Sequence, residues 1–278
     1  MTTLQISTPA RLHHLHIGSP KARELAGFYA DTLECTHAVE GGLHMLAGRD
    51  RALLISDAAE RAQRYAAYAL RDEFDLESLR ARLHGRSVRC EPLDDPYLRH
   101  GAFLVADPQG RRIAFGVPAI SPILGSLPGR LQHTVFQTTA LEQVVRFYVD
   151  MIGFTVSDEV IDDAGALAVV FLRSDDEHHS LAFFRGSRNE WDHHCYETSG
   201  WNDLRDWGDR FAAAHIPIFF GPGRHGPGNN LFFMVTDPDG NRLEFSAELQ
   251  TVDADAAPGI WPHAERTLNT WGRAWVRT

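Results

Sequence analysis

Three residues in the second half of the chain have the types and setting to hold a divalent cation: His133 in LQHTVF, His194 in DHHCYE and Glu244 in GNRLEF. Glu244 stands in an apolar run that reads as a buried strand. A carboxylate facing a β-core costs several kcal/mol unless it is paired or bound to a metal. Two imidazoles and one carboxylate on a common face form the 2-His-1-carboxylate arrangement, which takes three positions of an octahedral Fe(II) and leaves three for substrate and O2. Taken singly, each residue has a blander reading. Glu244 could be a rim residue bonded to Arg242 or Arg224, His133 a satisfied core histidine, and one of His193 and His194 an exposed strand residue.

The elements that must position these side chains come from an internal repeat. The stretch LHHLHIGSPKARELAGFYADTLE in the first half matches LQHTVFQTTALEQVVRFYVDMIGF in the second, and FLVADPQGRRIAF matches FMVTDPDGNRLEF. Each half reads as a strand, an amphipathic helix ending in a Phe-Tyr pair, and further strands, with a second helix before the last two. The fold class expected is therefore α+β: two tandem βαβββ modules over residues 10–120 and 130–250, each part of a curved, barrel-like mixed sheet. A tail over 251–278, rich in tryptophan, is expected to pack on the body. The Pro/Gly-rich stretch Val117–Arg130 reads as the linker. Asp-Pro-x-Gly fits a type I turn, in which Asp caps the turn, Pro presets φ and Gly takes a final position with φ > 0.

The repeat supplies an internal control, because a residue needed only for the module fold should stand in both copies. His133 matches His14, but His194 matches Ala66 and Glu244 matches Ala114. The first module has lost two of the three, so the fold does not require them. This joint pattern favours a metal site over the three separate bland readings. Alternation along the strands puts His178 and His193 on the outward face and turns Cys195 away from the cavity.

Bulk composition bounds the partners. The chain has 278 residues, 44% hydrophobic and 23% charged, with 27 basic against 37 acidic side chains and a formal net charge of -10. That balance argues against nucleic acid or an anionic membrane as partner. No apolar run is long enough to span a bilayer, and the first residues lack the apolar core of a secretory signal. The three cysteines, Cys35, Cys90 and Cys195, have no CxxC spacing and suit a reducing, cytoplasmic setting.

The second module resembles the type I extradiol, catechol-cleaving dioxygenases of the vicinal oxygen chelate superfamily. The resemblance rests on His133, HHSLAF at 178–183, DHHCYE at 192–197, GPGRHG at 221–226 and DPDGNRLEF at 237–245, and it extends to the empty first module and the tail with NTWG. It implies His133, His194 and Glu244 as ligands of Fe(II), with Mn(II) as the other cation of matching preference. It implies His179 as the acid-base group, a role that an imidazole titrating near neutral pH suits. It implies His225 as a second active-site histidine that hydrogen-bonds a substrate oxygen or holds a lid. The partners implied are a small aromatic diol and O2, in a homo-oligomer. The family usually places a tyrosine where this chain has Met234, and Tyr196 is a candidate to replace its hydroxyl. Phe219 and Phe220, where relatives acting on carboxylated catechols often carry an arginine, point to an uncharged ring. Two other activities fit the same scaffold: a glyoxalase-like metal-dependent isomerase or lyase, and a metal-free binder of aromatic compounds.

Overall fold

The computed structural model describes residues 8–119 and 127–274; the middle of the linker and the last four residues of the tail lie outside the described residues. The first half runs β1 (Ala10–Ser19), α1 (Ala22–Thr32), β2 (Thr36–Glu40), β3 (Leu43–Gly48), β4 (Arg51–Asp57), β5 (Ala62–Leu70), α2 (Glu73–Gly85), β6 (Glu91–Pro92), β7 (Phe103–Ala106) and β8 (Arg112–Gly116). The second half repeats it: β9 (Arg130–Thr138), α3 (Leu141–Arg146) with a π-helical continuation over Phe147–Ile152, β10 (Thr155–Ile161), β11 (Leu167–Arg173), β12 (Leu181–Arg185), β13 (Glu190–Thr198), α4 (Trp201–Ala213), β14 (Phe220–Arg224), β15 (Leu231–Thr236) and β16 (Arg242–Ala247). The tail then contributes β17 (Gly259–Pro262) and α5 (Glu265–Leu268).

The strands form two mixed sheets of the same topology. The first has the order β6-β7-β8-β5-β1-β4-β3-β2, and the second β14-β15-β16-β13-β9-β12-β11-β10, to which β17 adds in parallel beside β10. The chain is thus α+β with few helices, in two repeated halves, and each half runs through the β-α-β-β-β order twice, β1-α1-β2-β3-β4 and then β5-α2-β6-β7-β8 in the first. The turn chemistry is as read. In each copy the turn aspartate accepts from the backbone N–H groups two and four residues on, Asp107 from Gln109 and Arg111 and Asp237 from Asp239 and Asn241. Gly110 and Gly240 take φ of +80° and +78°, which a residue with a Cβ adopts only with strain.

The helices lie on one face of the sheets because their apolar residues fall at helical spacing. Leu25, Ala26 and Tyr29 are buried on α1, and Leu204, Trp207 and Phe211 on α4. α2 is fixed at its start by Asp72, whose side chain accepts from Asp75 N at 2.9 Å. One apolar core runs through both modules, from Leu15 and Tyr68 in the first to Tyr196, Trp207 and Phe245 in the second. The modules also exchange polar contacts. Tyr29 of α1 donates to Asp237 in the second module's turn at 2.8 Å, and Tyr68 donates to Ser180 O at 2.9 Å. The other face of the second sheet carries a small separate cluster, Val135, Ala182 and Phe184 with Val169 and Phe171 beside it. That face holds the site. Among the described residues, no helix is long and apolar enough to cross a membrane.

Candidate metal centre and active site

Strand register decides which side chains meet. β13 lies between β9, to which it pairs antiparallel, and β16, to which it pairs parallel. Cys195 stands opposite both His133 and Glu244, so all three project from one face. Residues two apart share a face, which adds His193 and excludes His194. His133, His193, Glu244, His179 and His225 line a cavity of about 100 Å³. Its remaining wall is largely apolar and includes Val135, Phe171, Phe184, Met234 and Leu268.

The structure therefore brings together four of the five residues singled out from the sequence and replaces the fifth. His194 lies on the core face, its ring stacked on Trp191 at 5.1 Å and its Nε2 3.5 Å from the Tyr29 hydroxyl. Burial, with His193 nearby, lowers its pKa to about 3, so it sits there as neutral imidazole. His193 takes the cavity position, with Nε2 3.4 Å from Glu244 Oε2. The expectation that His193 faces outward fails for a physical reason. Alternation holds from His193 to Cys195, but it is anchored on Cys195, which stands opposite His133 and Glu244, so the inward residue of the histidine pair is His193. A signal was present in the repeat: Tyr196 matches Tyr68, both are buried in the common core, and His194, two residues before Tyr196, must share that face. The same logic corrects two further expectations. Tyr196 cannot offer its hydroxyl to the cavity, and Cys195 faces the site rather than away from it.

The imidazoles are held by hydrogen bonds on their other nitrogen. His133 Nδ1 meets Gln132 Oε1 at 2.5 Å, and the Gln132 amide donates to His179 O at 2.6 Å. His193 Nδ1 meets Asp192 Oδ1 at 2.6 Å, while Asp192 Oδ2 accepts from Arg242 at 2.5 Å. Each arrangement places the proton on Nδ1 and leaves Nε2 as the lone-pair donor, which is how protein matrices orient metal-binding histidines. The sequence reading did not single out Gln132 or Asp192.

Glu244 is buried, and what faces its oxygens is imidazole and amide. His193 lies against Oε2, His225 Nε2 is 3.7 Å from Oε1, and Asn230 donates to Oε1 at 3.3 Å. Burial raises the pKa of its carboxyl, but the hydrogen bond and charge of His225, with His193 and His179, outweigh this and leave it below the ordinary value. Burial first, then neighbouring imidazoles, lowers His133 and His179 well below the ordinary imidazole value. The result is an ionised carboxylate facing a cluster of imidazoles, of which His133 and His179 are neutral. That donor set fits a divalent cation that takes imidazole nitrogen and carboxylate oxygen, such as Fe(II) or Mn(II).

The two remaining histidines sit at the edge of the centre. His179 has its ring 4.4 Å from His133 and edge-on to Phe171 at 5.0 Å. Its Nδ1 meets His178 Nδ1 at 3.0 Å, and His178 Nε2 approaches Asp158 Oδ2 obliquely at 2.9 Å. His178 is thus buried behind His179, not outward as expected. His225 stacks flat on Phe232 at 3.8 Å, and its Nδ1 donates to Leu268 O at 2.5 Å. That carbonyl belongs to α5, so the tail closes the cavity and fixes His225. Phe232 supports the site from beneath His225, whereas Phe233 lies in the core.

The first module shows what the same frame does without a site. Ala67 and Ala114 pair as Cys195 and Glu244 do, and Tyr65 stands two residues before Ala67, in the place of His193. His14, the counterpart of His133, is consumed by Asp95, its Nε2 2.9 Å from Oδ2, and Tyr65 donates to the same oxygen at 2.6 Å.

Sequence comparison agrees with this division. The model of the Glyoxalase/Bleomycin resistance protein/Dioxygenase superfamily matches residues 130–245. The match falls on the second module. Among curated relatives, metapyrocatechase 2 of Cupriavidus necator is 31% identical over 189 residues, covering 66% of this chain and 56% of that one. The chain therefore spans little more than half the length of this relative. Among solved structures of similar fold, the Mn(II)-bound glyoxalase from Novosphingobium aromaticivorans superposes with a TM-score of 0.85 at 24% identity, over 96% of this chain and 92% of that one. The substrate complex of homoprotocatechuate 2,3-dioxygenase from Brevibacterium fuscum gives 0.83 at 21% identity, over 99% and 93%. These likenesses establish the fold over both modules.

Proposed function

We propose that the chain is a divalent-metal-dependent extradiol dioxygenase acting on a small, uncharged catechol. The observation that carries the reading is the convergence of His133, His193 and Glu244 on one buried face, each imidazole tied back through Nδ1, beneath an apolar cavity. Fe(II) fits this donor set, and Mn(II) fits it equally. When bound, the cation would gather diol and O2 and acidify the diol.

The chain's own residues supply orientation and proton handling. His179, neutral at the cavity wall, takes the proton of a catechol hydroxyl and later returns it to the product. His225, its ring fixed by the bond from Nδ1 to Leu268 O, presents Nε2 to the other hydroxyl. Val135, Phe171, Phe184 and Leu268 exclude water and set the ring in place. The guanidinium that reaches the wall, Arg185, is turned to Glu142 and to Leu167 O. A substrate carboxylate would meet no ready partner there, which supports an uncharged ring.

Met234 pairs with Glu244 across β15 and β16 and offers the cavity a thioether in place of a hydroxyl. This, with the Mn(II)-bound glyoxalase among the structural neighbours, favours a metal-dependent isomerase as the second reading. Anaerobic purification, loading with Fe(II) or Mn(II), and O2 uptake with neutral and carboxylated catechols separate the two. Ring-opened product from neutral catechols, lost in His193→Ala and Glu244→Ala, supports the dioxygenase. Metal-dependent turnover that consumes no O2 supports the isomerase. Tight binding of an aromatic compound by protein that takes up no metal would overturn both.

A further inference from the structure

The centre contains one group that a site for a hard cation does not use. Cys195 is fully buried between His133 and Glu244, and one ligand atom from each of the three lies within 4.8 Å of the others. His193 joins the set through Glu244 at 3.4 Å. Four donors around a tetrahedral ion with bonds of about 2.0–2.3 Å stand about 3.5 Å apart, a spacing these side chains reach by small rotations. The thiol is not required for packing. The first module keeps the same strand pairing with Ala67 opposite Ala114, so a methyl group suffices there.

We infer that Cys195 is a fourth protein donor for thiophilic divalent cations such as Zn2+, Co2+ and Cd2+. With such an ion, His133, His193, Glu244 and Cys195 form a closed four-coordinate centre that leaves no position for a diol. Binding breaks the S–H bond, forms a sulfur–metal bond and releases the proton to solvent; no electron is transferred. Fe(II) and Mn(II), which favour oxygen and nitrogen donors and higher coordination, leave the thiol protonated and their remaining positions open. The inference rests on the metal-centre reading above and adds a choice between two coordination modes.

The test is optical titration of the metal-free full chain with Co2+ under anaerobic conditions. The wild type should show intense ligand-field bands of a four-coordinate ion together with a near-ultraviolet thiolate-to-cobalt charge-transfer band. Cys195→Ala should keep cobalt and lose the charge-transfer band. Its affinity for Cd2+ should fall by about 10–100-fold, while that for Mn2+ changes by less than about threefold. Cys195→Ser, closer in volume, should behave as the alanine variant does, which separates loss of sulfur from loss of packing. Cobalt bound by the wild type without the charge-transfer band, or equal Cd2+ affinity in wild type and variants, overturns the role of Cys195 and leaves the metal centre standing. Failure of the wild type to bind Co2+, Cd2+ or Mn2+ overturns both.

Discussion

His193 and Glu244 meet across two parallel strands, Nε2 to Oε2 at 3.4 Å, while His194, the next residue, lies on the opposite face against Trp191 and Tyr29. The two adjacent histidines should therefore fail in different ways. His193→Ala should lose the bound cation with little change in thermal stability. His194→Ala should keep it and lose roughly 2–3 kcal/mol, because a buried ring is removed from the core. Metal content and thermal unfolding, measured on both variants, check this; metal lost from His194→Ala alone would reverse the assignment.

Asp192 should govern metal affinity without touching the cation. It accepts from His193 Nδ1 and from Arg242, so it fixes both the tautomer and the ring orientation of His193. Asp192→Asn keeps the shape but can present an amide N–H to Nδ1 and favour the wrong tautomer. An affinity for Mn2+ lower by about 10–100-fold is expected, read by competition with a chelator. Unchanged affinity would mean that backbone position alone aims the ring.

Much of this was legible in the chain because repeats expose what a fold needs. The Asp-Pro-x-Gly turns, the Phe-Tyr helices and the alternating strands each occur twice, and each forms as its local chemistry dictates. The difference between Ala114 and Glu244 marked the carboxylate without any coordinates. The choice between His193 and His194 turned on which of the two shares a face with the residue opposite Glu244, and the lead lay in Tyr196 and Tyr68, whose common burial sends His194 to the core. Gln132, Asp192 and Asn230 were hidden. Their role is to hold a ligand in place, and Gln132 or Asp192 beside a histidine, or Asn230 just ahead of β15, looks in sequence like any other polar residue. The closure of the cavity by Leu268 depends on where the tail folds back, which no local pattern specifies.

His14 should be structural only. It is the first module's counterpart of His133, but its Nε2 faces Asp95, which Tyr65 also holds. His14→Ala leaves a buried carboxylate without its imidazole, a loss of about 3–5 kcal/mol. Bound metal per folded chain should not change. The expected result is a large fall in the unfolding midpoint at wild-type metal content; a parallel loss of metal would show that the first module bears on the centre.

Glu197 should make stability depend on pH in the direction opposite to an ordinary ion-paired carboxylate. It is half-buried beside Ser246, which donates to it, and Leu249 N donates to it at 3.0 Å. Burial dominates these bonds and, with Glu177 nearby, raises its pKa from 4.5 to about 7. Between those two values the folded protein keeps a proton that the unfolded chain has lost. Stability therefore falls as pH rises through this window and levels off above about 7. Glu197→Gln removes the titration while keeping a hydrogen-bonding side chain. Discounted for the water that still reaches the group, the variant should be more stable than the wild type by about 2 kcal/mol near pH 8 and equal to it near pH 5. Denaturant unfolding of both proteins at these two pH values decides the matter. A difference that does not change with pH would show that Glu197 titrates in the folded protein as it does in the unfolded chain.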